Sequence, residues 1–230
     1  MDFATWEPVY ERILDDFGYD READERTADV FAGMLRASEG EVLTGESLDF
    51  TGDRVAIAGA GPNLEDELDL AREADAVVAA SSAARRLLAE GIGVDCMVTD
   101  LDGTPETAVR LTRYETPVAI HAHGDNAVAI QEYIPRCRLS AVLPTTQSKP
   151  VTPVQNFGGF TDGDRGAFLA DHFGAASLVF PGWDFDDRTV GPEKRRKLRW
   201  AERLVHWLER RRDDRFSVLD DRRDAIEAIE

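Results

Sequence analysis

Cysteine, lysine and long apolar runs are all scarce in this 230-residue chain, and each scarcity excludes something. The two cysteines, Cys96 and Cys137, have neither the spacing of a zinc site nor the number of a disulfide framework. Cys96 lies inside an apolar run and reads as a small core residue. No run approaches the roughly 18 apolar residues of a membrane span, and the start, Met1-Asp2-Phe3-Ala4, is not a basic, apolar signal. A cytoplasmic protein with no membrane partner is expected. Basic charge is short as well. The net charge is −18, and neutralising a phosphate backbone needs a basic face, so nucleic acid is not an expected partner.

The only lysines are Lys149, Lys194 and Lys197; every other basic residue is arginine, and acids run the whole length. This pattern resembles the surface of a protein from a salt-accumulating halophile. At about 1 M salt the Debye length falls to about 3 Å, so the global charge would barely repel an anionic substrate. Local cations and metal would decide phosphate binding.

What is present is a globular composition, 43% hydrophobic, with one clear rhythm. Trp6, Val9, Tyr10, Ile13, Leu14 and Phe17 fall at helical spacing, and a second helix is expected over Ala23–Ala37. From Arg54 onward short apolar runs alternate with helical segments. The runs are Val55–Ala58, Ala76–Ala80, Met97–Thr99, Val118–Ile120, Ala141–Leu143, a weaker Val154–Phe157, and Leu178–Phe180. Helices are expected at Leu64–Glu73, Ala83–Glu90, Pro105–Thr112, Ala127–Tyr133 and Arg165–Phe173, with a terminal one at Lys194–Arg212. Such alternation predicts an α/β fold with a doubly wound, mostly parallel sheet. The chain divides into an N-terminal helical cap (1–46), an α/β domain (47–190), and a C-terminal helix with a charged tail (191–230) packed on the same unit. A homo-oligomer is compatible with this reading.

In open α/β sheets ligands bind outside the carboxyl ends of the strands. There the third run meets Asp100-Leu101-Asp102-Gly103, two carboxylates entering a glycine turn. Such hard oxygens suit Mg²⁺, which takes one or two carboxylates plus substrate phosphates; Asp and Gly are also ordinary turn residues. The first run ends in Gly59-Ala60-Gly61-Pro62-Asn63, whose amides and following helix could face an anion. A nicotinamide fingerprint is absent, because Leu64 stands at its third glycine and Ser81-Ser82 where its acid belongs. His121 and His123 are expected on opposite faces of the sheet, which disfavours a shared metal. Asp125 and Asn126 would open the next helix, as caps or ligands. In Asn156-Phe157-Gly158-Gly159-Phe160, followed by Asp162, Asp164 and Arg165, an aromatic wall and carboxylates suit a flat heterocycle. Arg165 could hold phosphate oxygens bidentately. The basic cluster Lys194, Arg195, Arg196, Lys197 and Arg199 reads as a solvated face that a phosphate tail could share.

Taken in order, Gly59-Ala60-Gly61-Pro62-Asn63-Leu64, Val98 to Gly103, His121 to Asn126, Thr146-Gln147 and Asn156 to Arg165 resemble the archaeal-type 6-hydroxymethyl-7,8-dihydropterin pyrophosphokinase family, related in fold to thiamine pyrophosphokinases. The resemblance spans roughly Arg54 to Lys197. One departure is visible: Ser81-Ser82-Ala83 stands where the family commonly has Asp-Gly-Ala. The resemblance implies diphosphate transfer from ATP to a reduced pterin, with AMP released, in folate or methanopterin synthesis. It implies Asp100, Asp102 and Asp125 as Mg²⁺ ligands, with Asn126 on phosphate oxygens and Asp125 or His123 as base. Gly59, Gly61, Asn63, Thr146, Gln147 and Arg165 would lie around the nucleotide, and Asn156, Phe157, Asp162 and Asp164 toward the pterin. Thiamine pyrophosphokinase and a nucleotide-sugar enzyme are the rival chemistries; a metal- or nucleotide-binding module is the non-catalytic one.

Overall fold

In the computed structural model, which describes residues 1–38 and 40–229, six strands form one sheet in the order β5-β4-β3-β2-β1-β6. They are β1 (Arg54–Ala58), β2 (Ala76–Ala80), β3 (Cys96–Thr99), β4 (Val118–Ala122), β5 (Val142–Thr146) and β6 (Ser177–Val179), and every adjacent pair is parallel. Both faces of a parallel sheet are covered, which is why its strands read as unbroken Val/Ala/Ile runs. Glu39, in the 1–46 segment, and Glu230, at the end of the charged tail, lie outside the described residues.

Among the described residues eight α-helices flank the sheet: α1 (Phe3–Phe17), α2 (Arg21–Ala37), α3 (Leu68–Arg72), α4 (Ser82–Ala89), α5 (Pro105–Arg113), α6 (Ala127–Tyr133), α7 (Asp162–His172) and α8 (Pro192–Arg212). The chain steps one way from β1 to β5 and then returns past β1 to β6. Right-handed crossovers therefore put α7 on the face opposite α3–α6. The cores follow the pleat. Val55, Ile57, Val78 and Val98 pack under α1, α7 and α8 through Trp6, Phe168 and Leu204. Ala56, Ala58, Val77 and Ala79 face the other way, toward Phe31 of α2, Leu87 of α4 and Ile130 of α6. This is the doubly wound arrangement that the alternation predicts.

Local chemistry fixes the ends near the ligand edge. Asp2 caps α1 through the Thr5 N–H (2.9 Å), and Gly18 closes it in the left-handed conformation at φ 69°. Asp20 then caps α2, so two helices turn within three residues beside the carboxyl edge. Two expectations fail locally. Val154–Phe157 is no strand: Gln155 makes an isolated bridge to Thr145 before Gly158 and Gly159, at φ 86° and 92°, bend the backbone away. Leu64–Glu73 is a 3₁₀ turn and then α3, broken at Glu67, whose carboxylate accepts from the Gly182 N–H (2.8 Å). The charged tail carries Phe216, Leu219 and Ile229 into the α8 side of the core. Among the described residues no helix is long and apolar enough to cross a membrane.

Candidate active site

A cavity of about 750 Å³ opens at the carboxyl edge of the sheet. Residues after all six strands line it, Gln147 among them after β5, and the α1–α2 turn, α2 and α8 close its sides.

Its floor is acidic. After β3 the Thr99 hydroxyl accepts from the Leu101 N–H (3.0 Å), and the Asp100 carboxylate accepts from the Asp102 N–H (3.1 Å). Leu101 takes a left-handed φ of 68° while its side chain is buried in the core. A branched residue there costs on the order of 1–3 kcal/mol; the turn it makes leaves Asp100 and Asp102, on either side, both lining the cavity. Asp162, in the first turn of α7, meets them. Each of the three carboxylates offers an oxygen within 4.8 Å of the others. Three hard oxygens without a thiol suit Mg²⁺, Mn²⁺ or Ca²⁺ rather than zinc.

Mutual repulsion is visible in their titration. Burial, then the Asp100 charge, push Asp162 up to about 8 against the pull of Arg165. The same two causes raise Asp102. Burial opposes ionisation of Asp100 too, but its hydrogen bond with His123 and the charges of Arg165 and His123 outweigh that, and its pKa is lowered. A divalent cation would relieve the cluster.

The loop after β4 sets the second wall. His123 places Nε2 3.2 Å from Asp100 Oδ2 and Nδ1 3.0 Å from Asp125 Oδ1. The Asp125 side chain is 90% exposed and lies outside the carboxylate cluster. The structure therefore brings Asp162, not Asp125, to the other two acids. Asn126 serves the backbone: its amide donates to the carbonyls of Asp100 (2.8 Å) and His121 (2.7 Å), and its oxygen accepts from the His123 N–H (3.0 Å). With no polar atom left over, it clamps two strand-end loops together. The expected opposition of the histidines is wrong. Residues two apart on a strand share a face, and their rings lie 6.2 Å apart. His121 is buried beside the Thr145 hydroxyl (3.1 Å), and burial holds its pKa well below the usual value.

The glycine turn has a packing reason. Gly59 and Gly61 donate their N–H groups to the carbonyls of Pro181 (2.9 Å) and Gly182 (2.8 Å), so neither amide is free for an anion. A β-carbon at either glycine would lie 2.5 or 2.6 Å from the Gly182 oxygen. Asn63 donates to the Trp183 carbonyl (3.3 Å), and Arg86 grips the carbonyls of Ala60 and Gly61. These contacts stitch the β1 and β6 loops together and fix Trp183 in the cavity wall.

Other sequence candidates divide in the same way. Arg165 reaches the cavity, donating to Asp162 Oδ1 (3.1 Å) and Gln147 Oε1 (3.0 Å). Thr146 is buried against the Ser148 hydroxyl, and Asn156 bonds the Gly158 N–H and the Ser148 carbonyl. Phe157 packs on His172 and Phe173 in the core; Phe160 takes the cavity wall instead. Asp164 is fully buried as half of a capping box, accepting from the Phe160 and Thr161 N–H groups and the Thr161 hydroxyl. Of the four residues expected on the pterin side, only Asp162 lines the cavity, and it joins the acids.

Sequence reasoning passed over Tyr19, Asp24 and Trp183 as lining groups, because helix ends and distant loops supply them. Lys194 and Lys197 also line the cavity, and the Lys194 charge acts on both Asp102 and Asp162. Both belong to the basic cluster already read as a face that a phosphate tail could share, and two of only three lysines stand here. Ser81, at φ 44°, directs its hydroxyl to Asp102 at 3.5 Å.

A parallel, doubly wound sheet with an acidic, cation-ready cleft, backed by arginine and lysine, defines an α/β protein suited to phosphorylated ligands. Residues 32–189 match the MptE-like family of 6-hydroxymethylpterin diphosphokinases, and the chain belongs to that family of kinases. It is 40% identical to a Methanothermobacter thermautotrophicus protein named 6-hydroxymethyl-7,8-dihydropterin pyrophosphokinase, over 94% of this chain and 99% of that one. Proteins of the same name from Pyrococcus furiosus (36% identical, 90% of this chain, 94% of that one) and Methanocaldococcus jannaschii (32%, 90% and 96%) are similar along nearly their full lengths.

Proposed function

We propose that this chain transfers diphosphate from ATP to the hydroxymethyl group of 6-hydroxymethyl-7,8-dihydropterin, releasing AMP. The observation that carries the reading is the Asp100, Asp102 and Asp162 cluster inside the cleft of a chain that belongs to this family. These three residues would hold Mg²⁺, which supplies charge neutralisation and alignment of the triphosphate.

This chain's own groups do the rest. Arg165, Lys194 and Lys197 offer positive charge to the negative charge that builds up on phosphate oxygens in the transition state. The pterin alcohol attacks the β-phosphorus, a new O–P bond forms, and the bond to the oxygen bridging the α- and β-phosphates breaks, so that oxygen leaves on AMP. In its neutral form, with Nδ1–H held by Asp125, His123 would take the alcohol proton at Nε2, the nitrogen that otherwise meets Asp100. Tyr19, Phe160 and Trp183 supply flat walls for the two ring systems and keep bulk water from the phosphorus. All three segments, 1–46, 47–190 and 191–230, contribute lining residues and work as one catalytic unit. The acidic, lysine-poor composition fits a salt-rich cytoplasm.

The test is AMP release from ATP and Mg²⁺ in molar KCl with the hydroxymethyl pterin, with thiamine, or with no acceptor. AMP that appears only with the pterin is expected. AMP with thiamine alone would move the assignment to that vitamin, and no acceptor-dependent AMP in the folded, metal-replete protein would overturn both.

A further inference from the structure

We propose that Asp24, on α2, is a positioning residue that sets the Arg165 guanidinium, and through it Asp162, by fixing which way the Gln147 amide points. The proposal rests on the diphosphate-transfer reading. Asp24 is buried and accepts three hydrogen bonds: from the Gly124 N–H (2.6 Å), the Tyr10 hydroxyl (2.7 Å) and Gln147 Nε2 (2.7 Å). A carboxylate only accepts, so it selects the donor end of the Gln147 amide. The oxygen end must then face Arg165, whose Nη2 donates to it at 3.0 Å while Nη1 donates to Asp162 at 3.1 Å. Trp6 fixes the other end of Gln147 by donating to its carbonyl (2.9 Å). The Arg165 Nε is buried with no hydrogen-bond partner among the described residues. Two contacts therefore orient this guanidinium, and one of them depends on Asp24 some distance from the cluster.

Asparagine at position 24 would present an amide N–H₂ in place of the oxygen that Gln147 meets. Gln147 would turn over to give it an acceptor, and would then aim its own N–H₂ at Arg165, donor against donor. Glutamate at 147 cures this, since it accepts from both sides. The experiment measures KM for ATP at saturating Mg²⁺ and pterin in Asp24→Asn, Gln147→Glu, the double variant, Gln147→Met and Tyr10→Phe. Losing a hydrogen bond to a charged group corresponds to about tenfold or more, and that rise in KM is expected for Asp24→Asn and Gln147→Met. The double variant should return to within about threefold of wild type, a coupling that independent effects cannot give. Tyr10→Phe strips a bond from the same carboxylate without turning Gln147, so it should lower the melting temperature and leave KM alone.

Wild-type KM in Asp24→Asn or Gln147→Met, additive effects in the double variant, or a Tyr10→Phe rise equal to that of Asp24→Asn would each overturn the proposal. Should Asp24→Asn fail to fold, Gln147→Met and the double variant decide. An inactive wild-type protein would count against the diphosphate-transfer reading instead.

Discussion

The ring of Trp183 fills the space that a side chain on Gly163 would need: a β-carbon there would lie 2.8 Å from Cζ2. The indole N–H donates to the Ile57 carbonyl (2.8 Å), so the ring is wedged between the end of β1 and the first turn of α7. Gly163→Ala must push the ring aside. Overpacking costs about 1–3 kcal/mol, against about 1 kcal/mol gained from alanine's helix propensity. A net loss of stability in urea denaturation is expected, with KM raised for at least one substrate because the displaced ring stands in the cavity. Unchanged stability and kinetics together would remove Trp183 from the wall.

Asp162 and Asp125 are separable by mutation. Asp100→Asn, Asp102→Asn and Asp162→Asn should each cut AMP turnover on the order of 100-fold or more while circular dichroism stays native. Asp102→Asn and Asp162→Asn relieve repulsion within the cluster, while Asp100→Asn gives up its pairing with His123 and should melt lowest of the three. Asp125→Asn, at an exposed carboxylate, should cost less than about tenfold through His123 orientation alone. The reverse ranking of Asp162 and Asp125 would restore the earlier metal assignment.

The metal-free protein should also respond to pH through Asp162. Its folded pKa of about 8 stands above the unfolded value, which is about 3.9. The folded state therefore holds this proton more tightly, and the stability it brings is full below about pH 4 and lost as pH rises to about 8. Thermal melts in EDTA should fall over that window. Mg²⁺ must displace the proton, so its affinity should climb with pH and its stabilisation should be largest on the alkaline side. Asp162→Asn should flatten both trends; a slope unchanged in that variant would assign them elsewhere.

Ser81 gives a fourth experiment. Its hydroxyl lies 3.5 Å from Asp102, and the backbone there stands at φ 44°, ψ −119°. Ser81→Asp would bring a fourth carboxylate to the cluster. Mg²⁺ titration should show tighter binding by several-fold, because affinity follows ligand charge, and the metal-free protein should melt lower. Weaker Mg²⁺ binding would mean that Ser81 faces away from the ion.

How far residues alone could be read depended on how far apart their partners stand. The strands were legible because a run such as Val55–Ala58 is covered on both faces and carries its own signal. Asp100 and Asp102 were legible because a strand end and a glycine turn fix their edge. Asp162 was harder to place. It and Asp164 sit two apart on a helix and so point in different directions, and only the Thr161–Asp164 capping box, itself a sequence pattern, tells which one turns inward. The Gly59 and Gly61 requirement was invisible, since it comes from Gly182, more than a hundred residues on. Asp24 gave no signal at all: nothing local marks an aspartate that helix packing will bury against Gln147.

The scarcity of lysine has a chemical corollary. Side-chain primary amines are found at only three positions, and Lys194 and Lys197 both border the cavity. In this protein an amine-selective reagent becomes, in effect, an affinity label. Apart from the Met1 α-amine, acylation should mark Lys149, Lys194 and Lys197; ATP with Mg²⁺ should shield the last two while Lys149 still reacts, and peptide mapping of the adducts would chart nucleotide occupancy without any assay of turnover.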